Sequence, residues 1–86
     1  MNINELIAII KIKLENNFQI KNIKIEDKSF LHKNHKGNQD GKFHLKISLK
    51  SNQLKEMNKI ESNKKIFKIL DKEIKNSIHS IQILID

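Results

Sequence analysis

Two stretches of the chain alternate strictly between apolar and polar residues. In residues 18–27, Ile23 and Ile25 alternate with Lys24 and Glu26; in residues 43–50, Phe43, Leu45, Ile47 and Leu49 alternate with His44, Lys46, Ser48 and Lys50. A period of two sends successive side chains to opposite faces of a sheet, so both stretches predict half-buried strands. Ile81, Ile83 and Ile85 alternate with Ser80, Gln82 and Leu84 in a third strand that carries His79 at its start. By the parity of that strand, His79 begins on the core side of the sheet edge, where a polar ring needs a partner.

Elsewhere the period is helical. Ile3, Leu6, Ile7, Ile10 and Leu14 share one face of a helix over residues 3–16, opened by Asn2 and Glu5 at capping-box spacing. Ile9 and Ile12 lie outside that stripe and predict a broad core-facing surface. Asn16 and Asn17 can take the left-handed conformation that ends a helix. Leu54, Met57 and Ile60 recur every three residues among weak helix formers, which predicts a short turn or irregular helix over residues 51–61. Ser62 is placed to cap a second long helix over residues 62–76. Its buried face carries Ile66, Phe67, Leu70 and Ile74, and its outer face Lys64, Lys65, Lys68, Lys72 and Lys75.

The predicted order is αββαβ in one α+β domain over residues 1–86. All four apolar residues of 43–50 point one way, which places both long helices on that face of the sheet. A crossover through the second helix lays the last strand parallel to the second, giving a three-stranded mixed sheet. Between the first two strands, residues 28–42 hold Ser29, Asn34, Gly37, Asn38, Asp40 and Gly41, residues that favour turns over ladders. A polar loop of this length is predicted to be disordered in the free protein and is the first place to look for a site. It carries His32 and His35.

At 86 residues the chain can bury one small core. There is no Cys, so disulfides are excluded, and a metal would have to be held by His and carboxylates or with ligands from another molecule. The net charge of +7 raises nucleic acid as a partner. All 17 basic residues are Lys, however, and the abundance of Ile, Lys and Asn is what an AT-rich genome produces. The planar fork that reads guanine and phosphate bidentately is missing, so DNA binding is expected to be weak and sequence-independent. No stretch approaches the ~20 apolar residues that span a bilayer, and the N-terminus lacks the pattern of a signal peptide. A cytoplasmic protein with no membrane partner is the expectation.

No catalytic constellation is present: there is no Cys nucleophile, no nucleophile elbow and no phosphate loop, and a non-enzymatic protein is expected. The residues left are His32, His35, His44 and His79. They fall within a series of motifs: Asp27-x-Ser29-x-x-His32-x-x-His35-x-Gly37, then Gly41-x-Phe43-His44-Leu45-Lys46-Ile47, then Ser51-x-x-Leu54, then Ile78-His79-Ser80-Ile81. In this order and at this spacing the chain resembles the BolA family along nearly its whole length. Phe43 and Leu45 stand where bacterial members have Ser and Phe, and Leu54 and Glu56 where they have the Phe and Gly of a turn.

The resemblance implies a fold similar to class II KH domains and a non-enzymatic partner of monothiol glutaredoxins, monomeric when free. It also implies a [2Fe–2S] cluster shared with that glutaredoxin and glutathione. Such clusters are usually held by thiolates, with His able to replace Cys on one iron. A chain with His and no Cys supplies only the nitrogen side, so cluster binding and heterodimer formation become one event. By the family pattern His79 is one ligand and His32 the second, with His35 the alternative in the loop. His44 projects from a rigid strand and is disfavoured. The second role implied for some members is DNA-binding transcriptional regulation. Where many carry Arg-His-Arg at the head of the long helix, this chain has Ser62-Asn63-Lys64, which weakens that role and leaves it to Lys64, Lys65 and Lys68.

Overall fold

The computed structural model describes residues 2–29 and 42–86. Its first element, α1 (Ile3–Asn17), starts where Asn2 Oδ1 accepts from the Glu5 amide at 2.8 Å, as the capping spacing predicts. It ends where Asn17 Nδ2 donates to the Lys13 carbonyl and the Phe18 amide to that of Leu14. Leu6, Ile10 and Leu14 are its buried residues, one per turn. The buried stripe is narrower than expected, since Ile12 is 57% exposed.

Strand β1 (Asn22–Asp27) begins four residues later than the alternation suggests. The approach is held by side chains instead of a ladder: Gln53 Oε1 accepts from the Gln19 amide and Ser51 Oγ donates to the Gln19 carbonyl. Strand β2 (Phe43–Lys50) is central, antiparallel to β1 and parallel to β3 (Ile78–Ile85). The sheet is mixed, as the crossover argument requires. Its Leu45, Ile47 and Leu49 form a single core with Leu6, Ile10 and Leu14 of α1 and with Leu54, Ile66 and Leu70, so the helices cover one face. Full burial of each such side chain contributes about 1.5–3 kcal/mol before entropy is counted.

The segment joining β2 to β3 differs from a single long helix. Ser51 caps a short α2 (Asn52–Lys55), and α3 (Lys59–Ile69) starts at Asn58, whose Oδ1 accepts from the Glu61 amide. Ser62 is therefore not a cap. It is buried within α3, donating to the Lys59 carbonyl. The backbone leaves helical geometry at Leu70 (φ −95°, ψ 14°), and α4 (Asp71–Asn76) follows with Asp71 and Glu73 in its first turn, where carboxylates face the positive end of the helix dipole. Phe67, expected on the buried face, lies within α3 one position past the buried Ile66 and is 40% exposed, while Glu73 of α4 is buried. There both Glu73 oxygens accept from Lys13 Nζ at 2.7 and 2.8 Å, tying α4 to α1.

Candidate functional site

The turn from α4 into β3 is a single residue, held at both ends. The Ser77 amide donates to the Glu73 carbonyl at 2.8 Å, and the Ser77 carbonyl accepts from the Phe43 amide at 2.9 Å. The next residue, Ile78, pairs with Phe43 and is buried in the core. His44 then pairs with Ser80, not His79. The register shift makes His79 the extra residue of a bulge, which re-aims its side chain. This corrects the parity argument: Ile78 takes the inward position and His79 is exposed.

His79 is not isolated. Its ring centroid lies 4.7 Å from that of His44, with the planes inclined by 52°. His44 is itself only 5% exposed although it projects from the face opposite the helices, so it is not the solvated strand residue that alternation alone suggests. Its Nδ1 is hydrogen-bonded to Ser80 Oγ at 2.7 Å. Its amide donates to Ser29 Oγ at 3.1 Å, its carbonyl accepts from the Lys28 amide at 2.7 Å, and Asp27 Oδ1 accepts from the Ser29 amide at 2.9 Å. The Asp27-x-Ser29 motif is thus the clasp that closes the end of β1 onto His44. The sequence offered no separate signal for Ser80 beyond its place beside His79.

The electrostatics around the clasp are modest. Lys28 Nζ lies 2.9 Å from Glu26 Oε2, and its hydrogen bond holds the Glu26 carboxyl below the usual range. On its other side His79 borders a cleft of about 340 Å³ lined by Phe67, Asp71, Ile74, Ile78 and Ile81. Among the described residues no group of three or more His, Asp or Glu side chains could hold a metal ion. The expected loop ligands His32 and His35, and most of the loop predicted to be disordered, lie outside the described residues. As a donor set, the described residues offer a single exposed imidazole, His79, fixed by a bulge and by a neighbour whose Nδ1 is already engaged. That fits one nitrogen ligand of a cluster completed by other molecules.

Lys64, Lys65 and Lys68, the expected nucleic-acid contacts, are all exposed on α3. Among the described residues none of the three forms an ion pair. They follow a short helix and turn, α2 and residues 56–58, and give α3 a basic face. No helix among the described residues is long and apolar enough to cross a membrane.

The family model for BolA-like proteins matches residues 14–85. The DNA-binding transcriptional regulator BolA of Haemophilus influenzae is 29% identical over 75 residues, which cover 87% of this chain and 70% of that protein. Two solved structures from Arabidopsis thaliana, BolA1 and the BolA domain of SufE1, each superpose with a TM-score of 0.76 at 23% identity. In each pair 92% of this chain and 87% of the other are covered. With the same helices and mixed sheet in place and the motifs at their expected spacing, the chain belongs to the BolA family.

Proposed function

We propose that this protein is a non-enzymatic adaptor that pairs with a monothiol glutaredoxin and contributes histidine nitrogen to a [2Fe–2S] cluster held between the two proteins. The observation that carries this reading is His79: exposed, placed by a bulge, and buttressed by the buried His44. A metal-binding histidine must be neutral and is usually oriented by what its surroundings hold fixed. Here the ring of His44 restricts His79, and the hydrogen bond to Ser80 restricts His44 in turn.

One histidine and no Cys cannot hold a cluster alone. The remaining ligands would come from the glutaredoxin Cys, from glutathione and from the loop, with His32 the expected residue and His35 the alternative. The cluster, when bound, supplies the iron that joins the two proteins. The chain's own part is to present a nitrogen at a fixed edge and an apolar cleft beside it. Phe67 and Ile74 in that cleft give a docked protein something to bury next to the ligand. Assembly, trafficking or iron-dependent regulation in the cytoplasm is the corresponding role. Anaerobic co-purification with a monothiol glutaredoxin and glutathione tests it: a coloured heterodimer is expected, and recovery of colourless, separate proteins would overturn it.

A second reading, DNA-binding regulation, draws on the name of the Haemophilus influenzae relative and on the exposed Lys64, Lys65 and Lys68. Lysine point charges without an Arg fork support binding through phosphate, not base readout.

A further inference from the structure

Among the described residues, strands β1 and β3 are the two edges of the sheet, and they are treated differently. The β1 edge carries Lys24, Glu26 and Asp27, charges that discourage another strand from pairing there. From Ile81 to Ile85, β3 reads Ile-Gln-Ile-Leu-Ile, with no charge, no Pro and Leu84 45% exposed. An open row of backbone donors and acceptors on such a strand is a template for pairing. Beside its second half lies a groove of about 290 Å³, with Leu54, Met57, Ile83 and Ile85 among its walls. Among the described residues, the charged ones lining it are Lys55 and Lys59, with no carboxylate. Asn63 also lines it, and its buried Oδ1 has no hydrogen-bond donor among the described residues.

An unguarded edge strand next to an apolar groove is the arrangement that accepts an extended peptide, with backbone bonds giving affinity and the groove taking alternate side chains. We propose that β3 accepts an extended acidic segment of another protein as a fourth strand, its apolar side chains in the groove and its carboxylates at Lys55 and Lys59. A second copy of this chain fits less well. Antiparallel pairing of β3 about its own centre brings residues 78–80 opposite Ile83–Ile85, a stretch with no carboxylate to meet the lysines. Two molecules of charge +7 also repel. Single-stranded nucleic acid would meet the lysines but find no aromatic platform in the groove. His79 begins the same strand, and at ~3.3 Å per residue it stands about 20 Å from Ile85, so this surface is separate from the candidate cluster ligand.

The test uses an array of peptides of about eight residues, a normal strand length. They alternate Ile, Val or Thr with Glu or Asp, and a matched set carries Lys in place of the acids. Binding by acidic peptides alone is expected. Addition of the best one to the isotope-labelled chain should shift and protect the amides of residues 81–85. The Lys55→Glu/Lys59→Glu variant should weaken binding about fivefold, the scale of two exposed ion pairs lost. Leu84→Glu, which sets a like charge against an acidic strand on that edge, should abolish strand addition, and because all three positions are exposed both variants should keep the wild-type melting curve. The proposal is overturned if no acidic peptide binds, if the lysine set binds equally, or if the shifts map elsewhere. It is overturned equally if oligothymidylate moves the same amides where peptides do not, or if Leu84→Glu instead abolishes a concentration-dependent dimer.

Discussion

Ser51 joins three parts of the fold with one hydroxyl, so Ser51→Ala is a sharp test of how the domain is held together. The residue is fully buried. Its Oγ donates to the Gln19 carbonyl at 2.7 Å, fixing the segment between α1 and β1, and accepts from the Leu54 amide at 3.2 Å, capping α2 at the end of β2. Loss of an N-cap acceptor costs about 1 kcal/mol. Loss of the donor leaves the Gln19 carbonyl to water on a partly open edge, about 1 kcal/mol more. The sum, about 2 kcal/mol, is a large share of the roughly 5–15 kcal/mol available to a small domain. At about 4–8 °C per kcal/mol for a chain of this size, the melting temperature should fall by roughly 8–16 °C. Urea titrations and thermal melts of Ser51→Ala against the exposed neighbour substitution Asn52→Ala measure this. A loss below about 0.5 kcal/mol, the ordinary range for surface positions, would refute the assignment of both bonds to stability.

Lys13→Met leaves Glu73, 6% exposed, without its cation, and should cost about 1–3 kcal/mol, below the cost for a fully buried pair because Lys13 is 36% exposed. Urea unfolding of Lys13→Met/Glu73→Leu should recover most of that loss, and an equal loss in the double variant would contradict the account. The Glu26 carboxyl is held low by its hydrogen bond from Lys28, so its contribution is present above the unfolded-state pKa and is lost as pH falls through the lower folded-state value. A carboxyl NMR titration of Lys28→Ala should show the Glu26 midpoint moving up, and an unmoved midpoint would reject the pair. Replacing Lys64, Lys65 and Lys68 by Glu should weaken duplex binding equally for all sequences and flatten its salt dependence. Selective loss at particular base pairs would instead favour the regulator reading.

Much of this was legible because it is periodic. The alternation in 43–50 and 81–85 and the Leu6–Ile10–Leu14 stripe report which side of an element meets the core, and burial enforces that wherever a face is dry. The elements that escaped the pattern are those set by hydrogen bonds. Asn58 with Glu61 three residues on repeats the capping-box spacing of Asn2 and Glu5, a signal that the choice of Ser62 passes over, and tertiary packing buries Ser62. The break at Leu70 leaves the spacing of Ile66, Leu70 and Ile74 intact, so periodicity passes over it. His79 was identified from its motif, while its direction was misread. A bulge inserts one residue and reverses parity without leaving a trace in the hydrophobic pattern. The burial of His44 was invisible for a related reason, since alternation marks its face but not the closing of the Asp27–Ser29 clasp onto it.

The central claim is that His79 provides a ligand and His44 holds it in place. The measurement that tests it is the visible absorption and circular dichroism of the cluster formed with a monothiol glutaredoxin and glutathione under anaerobic conditions, compared across His79→Ala, His44→Ala, His32→Ala and His35→Ala. The account predicts that His79→Ala abolishes the shared cluster while leaving the fold intact, because that ring is exposed. His32→Ala should weaken it more than His35→Ala does. His44→Ala should retain a cluster with altered spectra, since it removes the neighbouring ring and not the ligand. A cluster unchanged in stability and spectrum by His79→Ala would contradict the account.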